Sequence, residues 1–249
     1  MRMRSSIFTR LQRRLGSIVR ERLGTEKISY AQCGEDLILE YLFASLDTTS
    51  VRYIDIGAHH PSYLSNTYLF YRQGGAGVCV EPDPRAIPRF QKLRPRDHCL
   101  NVGIGPEPGT AILYVMTTPT LSTFSRDEAE RYASYGTEQI ESTLHIPMRN
   151  INEVIETECR GVPDLISIDV EGYDLPILQS LDFGRWRPKV LCVETLTYAE
   201  NGEGHKLNGT IEFLQSKGYV LYADTYINSI MVDCNIWSRQ MALRASLPA

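Results

Sequence analysis

Short apolar runs alternate along this chain with segments whose apolar residues return every three or four positions. The runs VRYIDIG (51–57), AGVCVE (76–81), HCLNVGI (98–104), PDLISIDV (163–170) and PKVLCVET (188–195) read as buried strands. The spacing predicts helices over 34–45, 84–93, 151–159, 173–181 and 210–218, and one opened by Pro61 and Ser62 that runs to about Arg72. GTAILYVM (109–116) breaks the rhythm, because it follows another strand across a Pro/Gly turn; an antiparallel addition is expected there. Residues 117–141 are polar and aromatic and predict a loop with a short helix over the sheet edge, after which LHIPMRN leads into the next helix. YVLYADT and NSIMVDC close the chain as an antiparallel pair. Such alternation predicts an α/β fold, a mostly parallel sheet with helices on both faces. Ligands of these sheets bind beyond the carboxyl ends of the strands.

Residues 1–24 stand apart. Arg2, Arg4, Arg10, Arg13, Arg14, Arg20 and Arg22 face one acid, Glu21, and Ile7, Leu11, Leu15, Ile18 and Val19 recur at helical spacing. This is a basic amphipathic helix, and two readings are open: packing against the domain, or peripheral contact with an anionic membrane. Residues 25–249 are expected to form one domain. No apolar run reaches the roughly 18 residues that span a bilayer, and there is no cleavage-site pattern. The six cysteines are scattered without a CxxC pair, which predicts a reducing cytoplasm and no disulfide framework. The net charge of −4 argues against a nucleic-acid partner.

Chemistry gathers at the strand ends. The first strand ends in Asp55, then Gly57-Ala58-His59; a glycine there permits a tight turn and close approach to a ligand. The second ends in Glu81, at the roughly 20-residue spacing from a glycine turn that suits the two hydroxyls of a ribose. Asp55 can accept from an ammonium. Neither GxGxxG nor a Walker-type loop is present, so no pyrophosphate or triphosphate cradle is predicted. A nucleoside with a cationic, non-phosphate tail fits, and S-adenosylmethionine is such a molecule. The fourth strand runs into three acids, Asp169, Glu171 and Asp174, and Glu194 ends the fifth.

YAQCGEDLIL (30–39), YIDIGAHHPSYLSNTYLFY (53–71), CVEPDP (79–84), LSTFS (121–125) and ISIDVEGYDLPIL (166–178) resemble the FkbM-type S-adenosylmethionine-dependent methyltransferases from about Ile28 to Trp237. The resemblance implies a class I methyltransferase (Rossmann-like) fold with a seven-stranded sheet. It implies that Asp55, Gly57 and Ala58 hold the methionine part and Glu81 the ribose. Pro82 and Asp83 then flank the adenosine, Asn101 or Val102 lies near the adenine, and Gln32 and Glu35 cover the cofactor. It also implies O-methylation of a hydroxyl on a sugar, glycoconjugate or glycosylated natural product.

Methyl transfer to a hydroxyl needs alignment and a base. Asp169, placed against the cofactor, is the first candidate base; Glu171, Glu194 and His59 are further catalytic candidates. Each has a plainer reading: Asp169 as a helix cap, Glu171 as a partner of the helix dipole, Glu194 as a satisfied strand-end acid, His59 as a structural histidine. The three acids suit a divalent cation by ligand chemistry, but no metal-ligand spacing is present and no metal ligand is assigned. Two alternatives stay open: an NAD-dependent sugar oxidoreductase or epimerase, against which the single-glycine turn counts, and an inactive membrane-associated scaffold.

Overall fold

The computed structural model describes residues 26–197 and 204–245, so the basic helix expected over residues 1–24 lies outside it. The first half runs through α1 (Glu35–Ser45), β1 (Arg52–Ile56), α2 (Tyr68–Arg72), β2 (Ala76–Val80), α3 (Ile87–Leu93) and β3 (His98–Leu100). There follow β4 (Gly103–Ile104), β5 (Gly109–Met116), a 3-10 turn at Pro119–Leu121, α4 (Arg126–Ser134) and β6 (Ile140–Arg149). The chain then returns through α5 (Ile151–Glu158), β7 (Leu165–Ile168), α6 (Asp174–Ser180) and β8 (Val190–Glu194). It ends in α7 (Asn208–Ser216), β9 (Tyr219–Asp224), β10 (Asn228–Asp233) and α8 (Cys234–Ala245).

Seven strands form one sheet in the order β3-β2-β1-β7-β8-β10-β9. The pairs from β3 to β8 are parallel, and β10 is antiparallel to both β8 and β9. This is the α/β sheet with a C-terminal hairpin that the alternation predicts. Successive strand side chains point to opposite faces, so each strand supplies two cores. Ile54 and Ile56 of β1 and Ile166 and Ile168 of β7 pack with α5, α6 and α7 on one face. Tyr53 and Leu165 from the same strands pack with α1, α2 and α3 on the other. Among the described residues no helix is long and apolar enough to cross a membrane.

Four local expectations change. Residues 61–67 are not helical: Leu64 has φ 53°, and the His60 ring nitrogen accepts the Ser62 and Tyr63 amides at 3.2 and 3.0 Å. Side chains there take amide protons in place of helix carbonyls. The run 98–104 is two strands, not one. Asn101 donates to the Glu81 and Pro82 carbonyls at 2.9 and 2.8 Å, and the chain leaves the large sheet there. LHIPMRN belongs to a ten-residue strand, β6. It pairs antiparallel with β5 and parallel with β4 in a separate three-stranded sheet; Pro147, which cannot donate to a ladder, hides it. The chain also continues past the hairpin into α8, which buries no residue completely and so shows no clear apolar stripe.

The inserted sheet carries its own small cores. Leu113, Val115 and Ile146 form one, and Met116, Leu121, Ala129 and Tyr132 form another beneath α4. This insertion, 103–149, is the piece that stands over the carboxyl end of the large sheet.

One buried cation ties the cofactor-side loop to the sheet. The Arg94 side chain has no exposed surface, and its Nε lies 2.6 Å from Asp97 Oδ2. It also donates to Thr67 Oγ1 at 2.9 Å and lies 4.0 Å from Asp55. Asp97 in turn accepts from the Tyr53 hydroxyl and the Gly77 amide, both at 2.9 Å. Loop 61–67, β1 and β2 therefore share one network. Removing one partner of a buried pair leaves uncompensated charge behind, at a cost of about 3–5 kcal/mol. Arg94→Met is expected to lose stability of that order in urea denaturation, because Asp97 and Asp55 remain buried without their cation.

Candidate functional site

The first feature of the site is a contact between two strand ends. Gly57 follows β1 with φ +78°, and a Cβ added to it would sit 1.8 Å from the carbonyl oxygen of Asp169, the residue that follows β7. The ladder brings them together: the Asp169 amide donates to Ile56 O at 3.0 Å, and the Gly57 amide to Val80 O at 3.0 Å. Only glycine suits both the left-handed backbone and the missing space.

Two cavities open at this point. One, of about 290 Å³, runs along the ends of β1, β2 and β7 under the inserted sheet, and its wall includes Gly57, Glu81, Val102, Phe124, Asp169 and Glu171. The second, of about 240 Å³, lies toward β8 and includes Gln32, Leu64, Glu194, Thr197 and Ile227. Gly57, His59, Thr120, Asp169 and Glu171 belong to both walls. A group bound in the first cavity therefore meets a group bound in the second at the carboxylates of the 169–171 turn.

Glu81 is 6% exposed. Its two oxygens accept the backbone amides of His59 and Asp83, each at 2.7 Å. Each carboxylate oxygen keeps a further lone pair, so a diol can still bind. Burial outweighs those bonds and raises its pKa to about 7. Pro82 and Asp83 continue the wall, with Asp83 held by Arg85 at 2.7 Å. His59, at φ 48°, has its pKa lowered chiefly by burial, so it is neutral at neutral pH.

Asp169, Glu171 and Glu194 each offer an oxygen within 4.8 Å of the others. Burial is the largest influence on all three and raises their pKa values, and the charges acting on them are other carboxylates, Asp174 among those on Glu171 and Glu194. Asp169 and Glu194 lie close enough that a proton on one of them relieves the crowding of both. Glu171 sits at φ 50°, and its Oε2 accepts the Tyr132 hydroxyl at 2.9 Å. The Thr123 hydroxyl donates to the Glu171 carbonyl at 3.2 Å. Three carboxylate oxygens in such a group fit a hard divalent cation and equally fit shared protons.

Some predicted residues are placed elsewhere. Asp55 lines neither cavity; its carboxylate is turned to Thr67 and Arg94, because β1 alternation points it to the face where that arginine lies. Glu35 is fully buried, lines neither cavity, and accepts from the Cys33 amide, Thr225 and Asn228, so it braces the β9–β10 hairpin. Asn101 acts through the Glu81 and Pro82 carbonyls, and Ala58 is core. The wall contributed by Thr120, Ser122, Thr123 and Phe124 has no chemical signature in the sequence beyond the LSTFS motif.

A family model described as a methyltransferase FkbM domain matches residues 55–221. No curated protein matches the chain. Among solved structures it is similar to a TehB-like SAM-dependent methyltransferase from Corynebacterium glutamicum, with 11% identity, 92% of this chain and 98% of that chain covered, and a TM-score of 0.42. It is also similar to an O-methyltransferase from Bacillus cereus in complex with SAH, with 13% identity, 89% and 88% covered, and a TM-score of 0.41.

Two outcomes are expected. Gly57→Ala should lose on the order of 3 kcal/mol or more in denaturation, because the new methyl meets backbone and not a movable side chain. The raised carboxylates also set a pH dependence. A carboxyl whose folded pKa lies above its unfolded value of about 4 stabilises the fold below that pH and loses the contribution as pH rises through the folded value. The ligand-free protein is therefore expected to melt at lower temperature as pH rises from about 5 to 8, and Glu171→Gln to flatten that slope. Thermal denaturation across this range checks both signs.

Proposed function

This chain belongs to the methyltransferase FkbM domain family, and from that premise we propose that it transfers the methyl group of S-adenosylmethionine to a hydroxyl of a sugar, glycoconjugate or glycosylated natural product. The observation that carries the reading is the shared wall of the two cavities, with Asp169 and Glu171 at the junction. The nucleoside occupies the larger cavity, its ribose diol on Glu81 and its base toward Val102 and Phe124. The acceptor enters the smaller one, where Gln32, Glu194 and Thr197 supply polar contacts suited to a hydroxylated ring. The arginine-rich stretch before residue 24 favours an acceptor near a membrane surface.

S-adenosylmethionine supplies an activated methyl on a sulfonium centre. The protein aligns the acceptor oxygen with that carbon and removes the hydroxyl proton. Asp169 is the base in this reading, since it faces both cavities and burial moves its pKa toward neutrality, where a base works best. Glu194, whose carboxylate lies beside it, passes the proton on toward the second cavity. Glu171 completes the acidic wall. His59 contributes its backbone amide to Glu81, a positioning role.

A second reading rests on the clustering of the three carboxylate oxygens. A divalent cation held by Asp169, Glu171 and Glu194 would lower the pKa of the acceptor hydroxyl. Loss of methyl transfer on chelation, with recovery on adding Mg²⁺, would favour it over Asp169 as sole base.

Calorimetry with S-adenosylhomocysteine tests the cofactor: binding is expected, and Glu81→Gln should weaken it about tenfold by removing a charged acceptor for the diol. An absence of binding, with tight binding of NAD instead, would reverse the assignment. Asp169→Ala should lower methyl transfer by about two to four powers of ten, read as a 14 Da gain on glycan acceptors, the mass of the transferred group.

A further inference from the structure

The mechanism above makes no use of Tyr132. Its ring is 1% exposed, in the small core of the inserted sheet with Met116, Leu121 and Ala129. Its hydroxyl leaves that core and donates to Glu171 Oε2 at 2.9 Å, across 39 residues of sequence. Tyr132 lies in neither cavity wall. The second bond from the same insertion, Thr123 Oγ1 to the Glu171 carbonyl, holds the backbone of that residue. Thr123 is itself fixed to β5 by its amide and carbonyl against Tyr114, at 3.2 and 2.9 Å, and it lines the larger cavity.

Glu171 needs this help. It is a non-glycine residue at φ 50°, a conformation that costs free energy and persists only where surroundings hold it. The neighbours from its own turn do not hold it: Asp169 and Asp174 act on it as like charges, as does Glu128 from α4. The two bonds from the insertion oppose that repulsion, one on the side chain and one on the carbonyl.

We propose that Tyr132 is a positioning residue, which with Thr123 pins Glu171 from the inserted sheet so that the acidic turn keeps its shape only while the insertion is seated over the nucleoside cavity. This deepens the methyl-transfer reading and rests on it. The wall of the nucleoside cavity at Ser122–Phe124 and the turn at 169–173 are then one mechanical unit, and occupancy of the first is felt at the second.

Hydrogen exchange of the full chain tests this without an acceptor. In the ligand-free protein, Tyr132→Phe is expected to speed exchange of the 171–173 amides up to about tenfold, the effect of losing one hydrogen bond, while global stability in urea changes little. In a Glu171→Ala background the same change should do nothing further, because Tyr132 acts through Glu171. A merely structural Tyr132 would give the same increment in both backgrounds, and that result, or unchanged exchange at 171–173, overturns the proposal. Should Tyr132→Phe not fold, Thr123→Val tests the other bond; because Glu171→Ala keeps that carbonyl, faster exchange at 171–173 is expected in both backgrounds, and unchanged exchange overturns the proposal. Adding S-adenosylhomocysteine to the wild type is expected to slow exchange at 117–135 and 169–173 together; slowing at 117–135 alone also overturns it. If the compound does not bind at all, the cofactor reading fails, and the ligand-free comparison still decides the role of Tyr132.

Discussion

The site depends on how closely two strand ends approach. The turn after β1 and the turn after β7 touch backbone to backbone at Gly57 and Asp169, in a space that admits no side chain. This contact brings the floor of the nucleoside cavity and the acidic turn to the same place. The ladder between β1 and β7 fixes it, from Tyr53 opposite Leu165 to Ile56 opposite Ile168, and apolar burial on both faces of the sheet fixes the ladder. A slip of one residue in that pairing would exchange the two faces of β7, turning Asp169 from the cavity into the helical layer.

Charge is handled in opposite ways a short distance apart. Around Arg94 the buried carboxylates Asp55 and Asp97 have a cation and a set of donors. At the cavity junction, Asp169, Glu171 and Glu194 have mainly one another and the Tyr132 hydroxyl. The first arrangement secures the fold. The second leaves carboxylates whose protons are easily exchanged and whose unfavourable proximity is relieved by a proton, a cation or a bound hydroxyl. Perturbed carboxylates in a cleft mark a functional site, and here the perturbation comes from burial and like charge together.

The large sheet was legible because its strands are short apolar runs separated by helix-spaced segments, and the acids at the ends of β7 and β8 stood out against them. Glu81 was legible from its spacing to Gly57. What the sequence hid has specific causes. The inserted sheet was hidden because Pro147 interrupts β6 and because Asn101 diverts what reads as one continuous run, 98–104. The protein partners of Asp55 and Glu35 were hidden because a strand-end or loop-end acid carries no mark of what it will meet. Arg94 and Asn228, which claim them, are distant in sequence. Tyr132 had no signal, since a buried tyrosine in a short amphipathic helix reads as packing.

The insertion holds two small cores of its own and joins the core of the large sheet only through Ile104 among the buried residues of those clusters. The molecule has two packed layers that meet at Ile104 and at the bonds from Thr123 and Tyr132 to Glu171. A core substitution such as Val115→Ala weakens the roof first and reaches the floor through the bonds to Glu171. A molecule lying between them touches both, so the ligand itself becomes the mortar, and the protein is most nearly a single body when it is at work.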